Sequence, residues 1–484
     1  MIPNRTLFAH DCLEVLSDTH AFPDNCIDLI YLDPPFNSKS QYNLPFPAEY
    51  KRREDLRPVM AFNDTWYWND ECTQQLKMLE KSSSLQDHNI ANLVKLTKSI
   101  RNEKINTKDS MSAYLISMQS RLKQMRRVLK PTGSIYLHCD PTASHYLKLM
   151  LDNIFGRENF RNELIWHYSN ASRGKKNLAK SHDIIFWYSK SNKKYQFNRD
   201  EVLVPFTSGM TKWRYTKGGQ KGKPIPKGKT PDDMISIPSL NTMSKERLGY
   251  PTQKPLELLD WIIRQGSYKD DLILDPFCGC GTTVHAAEEL GRQWIGIDIS
   301  KFSTGLVRNR LGKAFPHYKS DIEIRGNPIT IKEAVQLSQR DKFEFEKWVC
   351  GEIGAEGMYH APGDRGADGG VDGIISFYHT REGKRKPDHA YSIVQVTGGK
   401  VTPDKVKALG STIKQHKDNG FNAICGIFVC FEKYMQTVEN NRDKSTVFNH
   451  LFQQSFDFIQ PLSVEDLLKG KLPYLPGGYH KKAA

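Results

Sequence analysis

Cys26-Ile27-Asp28-Leu29-Ile30-Tyr31-Leu32-Asp33-Pro34-Pro35-Phe36 is the stretch from which the rest of the chain can be read. Its first seven residues form an apolar run of strand length, broken only by Asp28, and predict a short buried strand. The prolines end that strand, because proline donates nothing to a sheet ladder and its φ is fixed. Asp33-Pro34-Pro35-Phe36 therefore stands at the carboxyl end of a strand, where open α/β sheets place ligands. A carboxylate, stiff carbonyl-bearing residues and an aromatic ring suit a planar exocyclic amine. Carboxylate and backbone carbonyl each accept one N–H, and the ring stacks on the base. Taken alone, the tetrapeptide is equally well read as a turn that merely ends a strand.

Far downstream, Asp271-Leu272-Ile273-Leu274-Asp275-Pro276-Phe277-Cys278-Gly279-Cys280-Gly281-Thr282-Thr283 reads as strand, glycine-rich turn and helix. Glycines let the backbone approach a ligand closely, and the helix start offers free N–H groups. The helix, Val284 to Leu290, closes at Gly291, a C-cap residue. A second strand, Trp294 to Ile297, ends on Asp298, a position whose carboxylate commonly accepts hydrogen bonds from a ribose.

The ordered set resembles an S-adenosylmethionine-dependent amino-DNA methyltransferase of the N6-adenine/N4-cytosine family. In that family DPPF is the catalytic motif and DPFxGxGTT the cofactor loop. Catalytic motif first and cofactor motif more than two hundred residues later matches the β class, with the target recognition region between them. Further matches are Tyr250-Pro251-Thr252-Gln253-Lys254-Pro255-Leu256, His10-Asp11 (His where Gly is usual), Phe62-Asn63-Asp64-Thr65-Trp66 and Ser181-His182-Asp183-Ile184-Ile185-Phe186-Trp187-Tyr188. Cys280 replaces the usual Ser and stays small. The resemblance covers residues 5 to 312. It implies a Rossmann-like α/β fold with a mostly parallel sheet, S-adenosylmethionine as cofactor and double-stranded DNA as partner. It assigns catalysis to Asp33, Pro34, Pro35 and Phe36. The cofactor falls to Asp11, Lys254, Asp275, Phe277, Cys278, Gly279, Gly281, Thr282 and Asp298. DPPF leans toward adenine over cytosine, and a restriction–modification role is implied.

The chain has 484 residues, suited to two or three domains, and no apolar stretch of membrane-spanning length. Nine scattered cysteines without a paired CxxC framework suggest a reducing, cytoplasmic setting, and Cys278 and Cys280 fit a loop role better than a metal. The net charge of +14 favours a polyanionic partner. Between Ile165 and Tyr250 there are 17 Lys or Arg against 6 Asp or Glu, a net +11. Trp166, Tyr168, Trp187, Tyr188, Tyr195, Trp213 and Tyr215 interleave with these charges. That mixture fits phosphate contacts and base stacking, and so a recognition region over 165–250; the plainer alternative is a solvated face with buried rings. Within it, Lys217 to Pro224 is too rich in Gly, Pro and Lys to build a core.

The stretch after Phe36 reads as loop to about Asp70, with Lys51-Arg52-Arg53 within it. Trp66 and Trp68 could pack over a bound base or serve as core. Residues 80 to 108 read as an exposed helical insertion. Apolar spacing predicts a helix over Met111–Leu129, stopped at Lys130-Pro131-Thr132-Gly133, then a strand over Ser134–His138, a helix over His145–Phe155 and a strand over Ile184–Tyr188. His138 and Asp140, at a strand end, read as structural.

Residues 1–312 are thus expected to form the methyltransferase domain, 313–335 a connector and 336–484 a second, smaller α/β domain. Motif closure before the connector predicts that residues 1–335 stand alone when 336–484 are deleted. In the second part, Gly363 to Ile375 leads to a strand over Tyr391–Thr397 and a helix from Pro403. This resembles the Mrr-type restriction endonuclease fold of the PD-(D/E)xK nucleases. The resemblance implies a divalent metal such as Mg2+ held by Asp372 and Gln395. Thr397 occupies the lysine position, so cleavage is in doubt; Lys400 is an alternative source of charge. Three readings stay open: a methyltransferase alone, one with an active nuclease, and a non-catalytic DNA-binding protein. A homodimer is also left open.

Overall fold

The computed structural model describes residues 2–37, 41–43, 60–104, 110–168, 178–205, 227–241, 244, 246–248, 250–357, 371–380, 388–418, 421–450 and 452–475. In chain order come β1 (Thr6–Ala9), α1 (Cys12–Ser17), β2 (Ile27–Leu32), a hairpin of β3 (Gln41–Asn43) and β4 (Met60–Asn63), and the helices α2 (Asp70–Lys81), α3 (Leu85–Ile100) and α4 (Met111–Val128). Next are β5 (Leu129–Cys139), α5 (Pro141–Phe155), β6 (Phe160–His167), β7 (His182–Ser189) and β8 (Met234–Ser236). Then follow α6 (Leu256–Gly266), β9 (Leu272–Asp275), α7 (Thr282–Glu289), β10 (Gln293–Asp298), α8 (Lys301–Ala314) and β11 (Glu323–Arg325). The C-terminal part has α9 (Ile331–Arg340), α10 (Lys342–Glu352), β12 (Glu356–Gly357), β13 (Gly373–His379), β14 (Asp388–Thr397), α11 (Pro403–Asp418), β15 (Ala423–Cys430), α12 (Met435–Asn441), β16 (Thr446–Asn449), β17 (Gln454–Asp457), β18 (Ile459–Ser463) and α13 (Val464–Leu468).

Nine strands form one sheet in the order β11-β1-β10-β9-β2-β5-β7-β6-β8. All neighbours are parallel except β5/β7 and β7/β6. The mostly parallel Rossmann-like sheet expected from the motifs is therefore present. β2 shows why its sequence is a continuous apolar run: all six of its residues are buried, because helices cover both faces. Ile30 and Leu32 join the core built by Leu122 of α4 and Leu147 of α5. Leu29 and Tyr31 point the other way, to Leu259 and Ile263 of α6. Each such side chain contributes about 1.5–3 kcal/mol on burial. The polar break, Asp28, is satisfied: it accepts from Lys130 Nζ at 2.7 and 2.8 Å and from the Leu272 amide at 2.9 Å.

Some expectations change. The helix does stop as expected, α4 ending at Val128, but Lys130 to Gly133 already belong to the start of β5. The helical insertion is not simply exposed: α3 buries Ile90, Ala91, Val94 and Thr97, a spacing that brings one stripe of a mainly polar helix onto the core. The stretch read as connector carries β11, which extends the large sheet at its edge beside β1. Trp166, Trp187 and Tyr188 are buried in β6 and β7, so these rings are core rather than a stacking surface. Tyr195 is the more open ring, with the Arg161 guanidinium 4.4 Å from its centroid. Ser38 to Ser40, Lys51 to Arg53, Trp213, Tyr215, Lys217 to Pro224 and Gly363 to Gly370 lie outside the described residues.

A second sheet has the order β12-β13-β14-β15-β18, antiparallel at its first two ladders and parallel at the others. One face packs on α9 and α10 through Leu337, Phe345 and Val349, the other on α11 through Val406, Leu409 and Ile413. No described helix is long and apolar enough to cross a membrane.

Candidate active site

The two motifs meet because β9 and β2 are neighbours, with Ile30 beside Leu274. Ala9 pairs with Asp298 and Gly296 with Asp275. Asp11, Asp298, Asp275 and Asp33 therefore leave the sheet along one edge, at the carboxyl ends of parallel strands. They line a single cavity of about 740 Å³ with Pro34, Pro35, Phe36, Lys254, Phe277, Cys278, Gly279 and Thr282. Gly281 is not part of the lining.

The tetrapeptide is held from several sides. Asp64, almost fully buried, accepts from the Phe36 amide at 3.1 Å and the Asn37 amide at 2.6 Å. Asn37 has φ +61°, so the chain turns sharply just after the ring. One face of Phe36 stacks on His138 at 6.0 Å and 21°. His138 is fully buried between the Tyr31 hydroxyl, 2.8 Å from Nδ1, and Asp183 Oδ2, 3.2 Å from Nε2. Tyr168 donates to the other oxygen of Asp183 at 3.2 Å. Asp140 caps α5. Lys254 Nζ pairs with Asp33 Oδ2 and lies 5.7 Å from the Phe36 ring centroid. Asp33 Oδ1 is buried and has no partner. Trp66 lines the cavity and meets Tyr114 edge-on at 5.6 Å, whereas Trp68 is core, with Lys98 over its ring.

The glycine-rich loop is fixed by backbone contacts to β10. Asp298 accepts from Gly279 N–H and Ser300 N–H, both at 2.8 Å. Asp275 accepts from Phe277 N–H at 3.0 Å. Gly279 and Gly281 have φ +52° and +77°, and a Cβ on Gly281 would lie 2.7 Å from Val307 Cγ1, so that turn requires glycine. Arg310 Nη1 donates to Thr282 Oγ1 at 3.0 Å and to the Cys280 carbonyl at 3.2 Å. Burial pushes Asp298 up to about 6 and Asp275 up to about 7. Burial raises the Cys278 and Cys280 thiols too, which suits packing in the loop. Asp11 caps α1 by accepting from Leu13 N–H at 2.7 Å and is paired with Arg121 at 2.5 Å.

Sequence reasoning thus located both motifs but not what holds them. Asp64 and Asp183 lay inside quoted motif segments; nothing in spacing marked Arg121, Arg310 or the Lys254–Asp33 pair.

In the C-terminal part, Asp372, Gln395 and Thr397 line a second cavity of about 450 Å³. Asp372 Oδ2 accepts from Val396 N–H at 2.7 Å, and Gln395 Oε1 is buried without a partner. Lys400 is not in this lining; Lys342, Lys405 and Lys433 are. Among the described residues no group of three or more His, Cys, Asp or Glu could hold a metal ion.

The chain is 32% identical over 267 residues to the type II methyltransferase M.EcaI of Enterobacter cloacae, covering 42% of this chain and 59% of that protein. It is 29% identical over 201 residues to the DNA adenine methyltransferase YhdJ of Escherichia coli (strain K12), covering 41% and 67%. It is 32% identical over 203 residues to the type II methyltransferase M1.MboII of Moraxella bovis, covering 40% and 77%. The chain spans about three fifths of the length of relatives such as M.EcaI. The family model described as DNA methylase, of the N6/N4 type, matches residues 27–306, which take in β2 with the tetrapeptide after it, the glycine-rich loop and the start of α8, and the chain belongs to that family.

Proposed function

We propose that this protein transfers a methyl group from S-adenosylmethionine to the N6 amine of adenine in double-stranded DNA, in a restriction–modification setting. The observation that carries the reading is Asp33, which lines the shared cavity: one carboxylate oxygen is anchored by Lys254, and the other is a buried acceptor without a partner. An N–H of a base amine suits that acceptor. The residues also fit the cofactor, since a glycine turn permits close backbone approach and a half-buried carboxylate, Asp298, ends the adjacent strand.

The amine lone pair is delocalised into the base ring and is a poor nucleophile. Asp33 and the Pro34 carbonyl draw the nitrogen toward tetrahedral geometry and localise that pair. Phe36 stacks on the base, which must leave the duplex to reach the cavity. Asp64 holds the Phe36 amide, and His138 backs the ring. When bound, the cofactor supplies an electrophilic methyl on a sulfonium. Placing the nitrogen in line with that methyl is the main catalytic contribution. The nitrogen then sheds one proton, toward Asp33 and solvent. Adenine is favoured over cytosine because the first motif residue is Asp. Residues 165–250 are read as the recognition region on their charge.

Incubating the protein with S-adenosylmethionine and unmethylated DNA, then weighing the digested nucleosides, tests this. N6-methyladenine is expected, lost in Asp33→Ala with cofactor binding kept. N4-methylcytosine would correct the base; no methylated base would end the reading.

We further infer that residues from 336 onward form a nuclease-like domain. Asp372, Gln395 and Thr397 sharing one cavity supports this. Thr397 carries no positive charge, so weak or absent cleavage is the reading for the wild type.

A further inference from the structure

The first cavity is not walled by the large sheet and its helices alone. Beyond Asp298, next to Ile299, Ser300 and Lys301, the lining passes to Arg340 at the end of α9 and to Glu344 and Lys347 of α10. These three lie outside the matched span of 27–306.

The contact that brings them there is a close one. A Cβ on Gly305 of α8 would lie 2.7 Å from the Gly351 carbonyl carbon of α10, and a Cβ on Gly351 would lie 3.0 Å from Phe302 Cα. Backbone meets backbone with no side chain between. Arg308 pairs with Glu352, Asn309 Nδ2 donates to the Gly351 carbonyl at 3.3 Å, and Asn327 Nδ2 donates to Thr304 Oγ1 at 3.2 Å. Phe302, under Gly351, packs with Cys280 and Tyr250, so the joint bears directly on the glycine-rich loop. The charges also meet across it: burial lowers the Lys301 pKa, while Glu344 opposes and Arg340 adds to that effect.

We propose that α9 and α10 belong to the cofactor site, with Arg340, Glu344 and Lys347 completing the wall beside Asp298 and setting affinity for S-adenosylmethionine. This rests on reading the cavity as the cofactor site. Glu344 and Lys347 are paired at 2.8 Å, so the wall offers both an acceptor and donors. An adenosine, with its hydroxyls, amine and ring nitrogens, needs both.

Calorimetric titration of the full chain with S-adenosylmethionine, without DNA, tests the assignment. Arg340→Ala and Glu344→Ala should each raise Kd at least fivefold. Gly351→Leu, at a position that lines neither of the two cavities, should do the same by forcing α10 off α8. Gln336→Ala, on the exposed side of α9, should leave Kd within twofold. If Arg340→Ala and Glu344→Ala both stay within twofold while wild type binds, this inference fails alone. If Gln336→Ala weakens binding equally, the effect is not local and the assignment fails. A wild type that binds no cofactor takes down the reading of the cavity and this inference with it.

Discussion

Lys254 and Asp33, 221 residues apart, form an ion pair across the cavity, and their side chains are only 8% and 17% exposed. The pair occupies one oxygen of Asp33 and leaves the other as a buried acceptor without a partner. Removing the cation leaves a largely buried charge unpaired, at about 3–5 kcal/mol. Lys254→Met should therefore lower the thermal midpoint and reduce kcat for methyl transfer at least tenfold. Lys254→Arg should recover part of both. Cofactor Kd within threefold of wild type in Lys254→Met would place the lysine's main role on Asp33; a large rise in Kd with kcat unchanged would return it to the cofactor.

Asp64 accepts from two consecutive amides, at Phe36 and Asn37, where the proposed catalytic tetrapeptide ends. Asp64→Ala frees both and removes the reason for Phe36 to stay stacked on His138. Methylation should fall at least tenfold, with cofactor affinity little changed. Wild-type turnover in this variant would show that the prolines alone position the ring.

Burial holds Asp298 protonated up to about pH 6, against about 3.9 for an unperturbed Asp. Its folded pKa is raised, so the folded chain keeps a proton that the unfolded chain releases between about pH 4 and 6. This group's contribution to stability is full below that window and is lost as pH rises through about 6. Asp275 acts in the same direction, to about pH 7. Ribose hydroxyls donate best to the ionised carboxylate, so cofactor binding should expel a proton near pH 6. Affinity should be about tenfold weaker at pH 5 than at pH 8. Titration in buffers of different ionisation heat measures both, and an affinity flat with pH would count against Asp298 as a ligand of the ribose.

In the second cavity the missing charge is the issue. With Mg2+, wild type should cut DNA poorly or not at all, and Thr397→Lys should raise cleavage, with Asp372→Ala removing the gain. Efficient cutting by wild type that disappears in Lys405→Ala would place the cation on Lys405, which lines the cavity where Lys400 does not.

The motifs were legible because strand-ending prolines, a glycine turn and an Asp after a strand leave local signatures. The continuous apolar run of β2 announced a strand buried on both faces. What holds the site was less legible, because it depends on contacts between segments far apart in the chain. Arg121 meets Asp11 and Arg310 meets the glycine-rich loop only after the sheet has formed. Trp166 and Trp187 looked like stacking rings because charge surrounds them in sequence, but strand pairing turns them inward. The expectation that the first 335 residues stand alone came from motif closure. The Gly305–Gly351 contact has no such signature, and removing α10 would uncover Phe302 beside the glycine-rich loop.

Strand order also sets a schedule. β1 and β2 are made first but are not neighbours; β10 and β9 lie between them. At about 5–20 residues per second, the ribosome takes roughly ten to fifty seconds to go from the end of β2 to β9. During that time the β9-facing edge of β2 lacks its eventual neighbour, and such edges invite pairing with other chains. The half of the site that would receive the base is thus translated well before the half that would hold the cofactor. The nascent chain should depend on holdase chaperones more than its finished sheet would suggest.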